Sequence, residues 1–157
     1  MQSSSGGVVW KGKIAFIRRW FDEVWNKKNL AAVDEMTSPN VIGHGQAEHG
    51  TDIGLVEFKS FARQLHAAFP DMRVTIDYVV EQDDKVVARW TTTMTHKSEF
   101  LGIAPTEKKV VFTGTTTQKI SAGKIVEGWD NWDQLALLVQ LGAVDARRFV
   151  PQAERAA

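Results

Sequence analysis

The stretch MRVTIDYVVEQDDKVVARWTTTMTH, residues Met72 to His96, decides the fold. Met72, Val74, Ile76, Tyr78 and Val80 alternate with Arg73, Thr75 and Asp77, the period of two that marks a half-buried strand. Glu81-Gln82-Asp83-Asp84 is a polar turn. Beyond it Val86, Ala88, Trp90, Thr92, Met94 and His96 share one face. Lys85, Arg89, Thr91, Thr93 and Thr95 share the opposite face with Val87.

Working downstream, Phe100 to Glu107 is a loop with Gly102 and Pro105. Lys109 to Ile120 is a third strand rich in Thr and Val, which suit a pleated surface. Ser121-Ala122-Gly123 turns the chain into a fourth strand, Lys124 to Trp132. Asp133 stands where a cap belongs before a short helix, Gln134 to Leu141, which Gly142 stops.

Upstream the period is helical. Ile14, Ile17, Phe21, Val24 and Trp25 recur at three- and four-residue steps over Lys11 to Asn26, with Trp20 beside the stripe. Leu30 to Met36 forms a second helix, and Ser38-Pro39-Asn40 reads as a turn. Val41-Ile42 is a brief strand before a glycine-rich loop that begins Gly43-His44-Gly45. A third helix covers Leu55 to Phe69, with Val56, Phe58, Phe61, Ala62, Leu65 and Phe69 mainly on one side. Helices followed by strands in meander order indicate α+β: a curved antiparallel sheet forming a cone-like half-barrel, closed by the N-terminal helices and the short C-terminal helix. Residues 1–10 read as a flexible lead-in, 11–145 as one domain and 146–157 as a C-terminal tail.

The chain has 157 residues, and an apolar fraction of 43% is enough for a real core. Its 19 basic and 19 acidic residues cancel, which leaves no electrostatic footprint for nucleic acid or an anionic membrane. Without cysteine there is no disulfide, thiolate catalysis or Cys-ligated metal, in keeping with a cytoplasmic location. No apolar run approaches the roughly 20 residues of a membrane span. His44 and His49 lack a supporting carboxylate pattern, and no pair forms a His-Glu-x-x-His motif, so no metal site is expected.

Several stretches carry a family pattern. They are Ala67-Ala68-Phe69-Pro70-Asp71-Met72, Thr95-His96, Glu99-Phe100-Leu101-Gly102 with Pro105-Thr106, and Gly123-Lys124-Ile125-Val126-Glu127-Gly128-Trp129-Asp130-Asn131-Trp132-Asp133. With Gln140-Leu141-Gly142 they resemble the SnoaL-like ester and polyketide cyclases over about Ile14 to Gly142. The resemblance implies the cone-shaped barrel shared with ketosteroid isomerase, scytalone dehydratase and nuclear transport factor 2. It also implies cofactor-free acid/base chemistry, in which a carbon acid loses a proton and an intramolecular aldol closes a ring. The matching acid/base is Asp130, with Asp133 kept open. Two positions depart from the family. Its strand histidine, about fourteen residues before the aspartate, falls in Thr115-Thr116-Thr117, and its Thr-Gly after the loop proline is Thr106-Glu107.

Even positions of the last strand would turn Asp130 into an apolar cavity, where desolvation favours a base active near neutral pH. A strand-end aspartate bonded to nearby backbone is the plainer reading. Asp133 is explained by capping. His44, between two glycines, is a candidate donor or proton relay to Asp130. His96 is a candidate donor at the pocket rim, while His49 and His66 read as surface or helix-flank residues. Trp20, Trp90, Phe112 and Trp132 are candidate ligand walls, suited to a planar or polycyclic molecule. The threonine-rich outer face suits a second subunit, so a dimer or tetramer is expected.

Three functions follow. The first is a cyclase- or isomerase-type enzyme acting on a hydrophobic carbonyl compound, polycyclic ones included. The second is a carrier of the same fold without chemistry, and the third an interaction module. Epoxide hydrolysis by an Asp-Arg-Asp set would use Arg89, but Thr91 stands where that scheme needs an aspartate.

Overall fold

A computed structural model describes residues 12–45 and 51–149; the lead-in 1–10 and His49 lie outside them. The first helix, α1 (Gly12–Trp20), runs into a π-helical turn (Phe21–Asn26), closed where the Lys27 amide donates to the Asp22 carbonyl at 2.8 Å. The wider turn keeps Phe21 and Val24 inside together with Ile17 and Trp20, all 5% exposed or less. Trp20 is therefore core and not flank. After α2 (Ala31–Met36) comes β1 (Thr37–His44), longer than Val41-Ile42 alone. The Ser38-Pro39-Asn40 turn signal gives way because this is an edge strand. Pairing with β5 is interrupted between Thr37 and Ile42, and a proline is tolerated in such a gap.

The remaining elements are α3 (Leu55–Ala68), β2 (Arg73–Gln82), β3 (Lys85–Thr95), β4 (Lys109–Ser121), β5 (Lys124–Trp132) and α4 (Gln134–Gln140). A short 3-10 turn, Ala146–Phe149, opens the expected tail. The sheet order is β1-β5-β4-β3-β2, and the sheet is curved and unclosed. Strands β2 to β5 form the antiparallel meander read from the sequence. The addition is β1, which runs parallel to β5 and makes the sheet mixed. The α1 helix and its π turn pack on β2 and β3, α3 on β1, and α4 on β4.

Period-two reading holds without a break in β3, where Val86, Ala88, Trp90, Thr92 and Met94 are buried in alternation. It fails in β2, because a bulge between Ile76 and Tyr78 leaves Asp77 outside the register with β3. One extra residue exchanges the two faces. Tyr78 and Val80 are thus 57% and 54% exposed, while Val79 packs against the core. On α3, Val56 is exposed and His66 buried, the reverse of the sequence reading, because the stripe that meets the core runs through Phe58, Ala62 and His66.

Candidate functional site

Strands β4 and β5 build the site by register. Val110, Phe112, Gly114, Thr116 and Gln118 all face inward from β4, and Thr116 stands directly opposite Asp130. Trp90 of β3 pairs with Gly114, and a Cβ there would lie 2.2 Å from the indole ring. The bare glycine is what lets the indole lie across β4. There its Nε1 donates to the Thr116 hydroxyl at 3.0 Å. An indole N–H only donates, so Thr116 accepts from Trp90 and gives its own proton to Asp130 Oδ1. The chain Trp90 to Thr116 to Asp130 has one direction.

Asp130 and Thr116 stand where two cavities meet, and Trp25 lines both. The first encloses about 540 Å³ out to its open mouth. Its walls are aromatic: Phe21, Phe61, Trp90, Phe112 and Trp132, with Thr92 as the further polar group. Phe112 meets Trp90 edge-on at 6.1 Å and Trp132 at 5.6 Å. The second, about 490 Å³ on the same measure, lies towards β1 and α3, with Trp20 and Phe58 in its wall. An apolar lining with a few convergent polar groups suits a small organic molecule.

The structure thus brings Asp130, Trp90, Phe112 and Trp132 together around the first cavity and places Trp20 in the second. His96 lines neither. Its ring is fully buried and stacks on Phe69 at 5.2 Å, and its Nδ1 accepts from the Thr106 amide at 3.2 Å. His44 lines neither cavity either. Its Nδ1 is 2.5 Å from Asp52 and its Nε2 2.9 Å from Glu127, while the ring stacks on Trp129 at 5.3 Å. The Glu127 and Asp52 carboxylates raise its pKa above the ordinary 6.5, so it favours the imidazolium form.

Asp133 caps α4, accepting from the Ala136 amide at 2.9 Å. Arg89 points to the outer face, where it donates to Thr113 at 2.7 Å, and Thr91 there donates to Asp77. No group of three or more His, Asp or Glu side chains arranged to hold a metal occurs among the described residues.

Three residues of the site were not singled out from the sequence. Thr116 is the inward member of Thr115-Thr116-Thr117, and alternation along β4 was the signal that could have chosen it. Gly114 is legible only once Trp90 is known to lie opposite. Gly45, at φ +79, turns the chain after β1 so tightly that a Cβ would lie 2.1 Å from the Asp130 carbonyl oxygen. Only a residue without a side chain passes there.

A family model described as SnoaL-like polyketide cyclase matches residues 15–141. Among solved structures, a candidate hydroxylase from Streptomyces galilaeus superposes with a TM-score of 0.77 at 26% identity, over 85% of this chain and 97% of that one. A candidate polyketide cyclase from Streptomyces antibioticus gives 0.72 at 29% identity, over 84% and 99%. One from Acidithiobacillus ferrooxidans gives 0.71 at 25%, over 92% and 100%. A search of curated proteins gave no match. Among the described residues no helix is long and apolar enough to cross a membrane.

Proposed function

The chain belongs to the SnoaL-like polyketide cyclase family, and from that premise we propose that it is a cofactor-independent acid/base enzyme of cyclase or isomerase type. Its substrate is a hydrophobic carbonyl compound, polycyclic ones included, bound between the aromatic walls of the first cavity. The observation that carries this reading is Asp130 at the junction of the two cavities, held by Thr116, which is held in turn by Trp90.

The chemistry follows from these side chains. Asp130 takes a proton from the carbon beside the substrate carbonyl, and the resulting enolate closes on a second carbonyl or is reprotonated elsewhere. The protonated carboxyl then returns the proton to the new alkoxide or carbon. Thr116 fixes the plane of the carboxylate, so that orientation is settled before the substrate arrives. An alcohol does not take up a proton near neutral pH, so the exchange rests on Asp130, with no histidine in the strand beside it. His44 and His96 have no part in this scheme, since neither lines a cavity.

A second reading is a carrier that binds the same ligand unchanged. It is favoured by Thr116 occupying the place where the family resemblance puts a histidine. Incubating the protein with a panel of polycyclic ketones and esters, followed by mass spectrometry, separates the two. New product identifies the enzyme; quenched tryptophan fluorescence with ligand recovered intact identifies the carrier. In either case the threonine-rich outer face, where Tyr78, Val80 and Val111 are also exposed, is where we place a homo-oligomeric contact.

A further inference from the structure

The second cavity contains a buried polar group that acid/base chemistry at Asp130 does not use. Gln118 faces inward from β4, two residues along the same face from Thr116, and is 3% exposed. Its carboxamide oxygen accepts no hydrogen bond among the described residues. The other polar groups of that wall are engaged. The Thr37 hydroxyl donates to the Val33 carbonyl at 2.6 Å, and Thr116 is held between Trp90 and Asp130. Opposite Gln118 on β5 stands Gly128, which also lines the cavity and brings no side chain to meet the amide. A buried carboxamide oxygen without a partner is costly, and native proteins seldom keep one without a use.

We propose that the second cavity is a recognition subsite for a hydroxyl group of the substrate, with Gln118 as the specificity residue that receives it. The inference rests on the acid/base reading of Asp130 and deepens it by assigning the substrate a hydroxyl-bearing arm. A hydroxyl both donates and accepts, so it pairs with the carboxamide whichever way the amide is turned. Thr116 and Gln118 are two residues apart on one strand, roughly 7 Å, so the hydroxyl lies about one ring's width from the carbon that faces Asp130. Apart from Gln118, Thr37, Thr116 and Asp130, that compartment is lined mainly by apolar side chains, among them Val41, Ile53, Leu55 and Ile125. A site built to bond a hydroxyl discriminates strongly against the analogue that lacks one.

The test uses two probes of matched shape, phenol and toluene, on the 15N-labelled full-length protein, with the Gln118 side-chain amide signals assigned by triple-resonance spectra. Phenol at millimolar concentration should shift that amide pair, and toluene should leave it in place. In Gln118→Met phenol affinity should fall about tenfold while toluene stays within about twofold, the loss of one hydrogen bond. The proposal is overturned if phenol leaves the Gln118 signals unmoved, if both probes shift them alike, or if Gln118→Met binds phenol as the wild type does. The wild-type comparison stands even where the variant folds poorly. Neither readout involves turnover, so failure here leaves the Asp130 reading intact and is told apart from a failure of that reading, which shows only in turnover.

Discussion

The central wall of the sheet and its rim follow different rules. Between β3 and β4 the register runs unbroken from Lys85 opposite Lys119 to Thr95 opposite Lys109, and every second side chain faces the core. At the rim β1 pairs with β5 across an interruption, β2 carries its bulge at Asp77, and β5 shifts register at Val126, opposite Lys119 and Ile120 of β4. The wall supplies Trp90, Phe112 and Thr116. The rim supplies Asp130 and the tight turn at Gly45 beside it. Regular strands therefore shape the cavity, and irregular ones aim the reactive group into it.

The wall breaks most readily at Gly114. Gly114→Val would force its side chain into the Trp90 ring, and overpacking of this kind costs about 1–3 kcal/mol. Urea unfolding should show the loss, with a changed tryptophan emission. If Gly114→Val unfolds like the wild type, the wall is looser than the register implies.

Trp90→Phe sharpens the same comparison. It keeps an aromatic ring over Gly114 but removes the N–H that Thr116 accepts, at a cost of about 1 kcal/mol. The melting temperature should fall modestly and turnover should fall further, because Asp130 loses its orientation through Thr116. An equal effect on both would make Trp90 a packing residue only.

The rim is probed by pH. In the folded protein the His44 pKa is raised by Glu127 and Asp52, so protonation is tighter there than in the unfolded chain. Its contribution to stability is therefore complete below about pH 6.5 and is lost as the pH climbs through the raised value. Exposed pairs contribute little, a few tenths to about 1 kcal/mol, and less in high salt. Urea midpoints of wild type and His44→Gln should differ most at pH 5.5 and draw together as the pH rises through the raised His44 pKa. A constant difference across that range would assign the effect to stacking on Trp129 instead.

The same contrast explains what could be read in advance. Alternation along β3 exposed the core face from Val86 to Met94, because β3 carries no bulge of its own and local periodicity alone then sets its faces. Tyr78 and Val80 were misassigned because a bulge depends on the partner strand and leaves no mark in its own sequence. Pro39 looked like a turn because its edge position is a tertiary fact. His66 looked like a surface residue because its burial is set by Trp25, 5.8 Å away ring to ring and 41 residues earlier in the chain. At the site, the inward face shared by Asp130, Trp90, Phe112 and Trp132 was legible from alternation, and the choice of Asp130 among them came from the family resemblance. The Trp90–Thr116 bond and the unpartnered carboxamide oxygen of Gln118 were not, since each depends on which strands lie side by side.

The measurement that bears most directly on the central claim is Asp130→Asn, assayed for both conversion and binding on a ligand from the ketone and ester panel. The carboxamide keeps the shape and loses the base. Conversion should fall by at least about a hundredfold, the usual contribution of a positioned acid/base, while affinity stays within a few fold. Undiminished conversion by the variant, or binding by both proteins with no product from either, would contradict an acid/base role for Asp130.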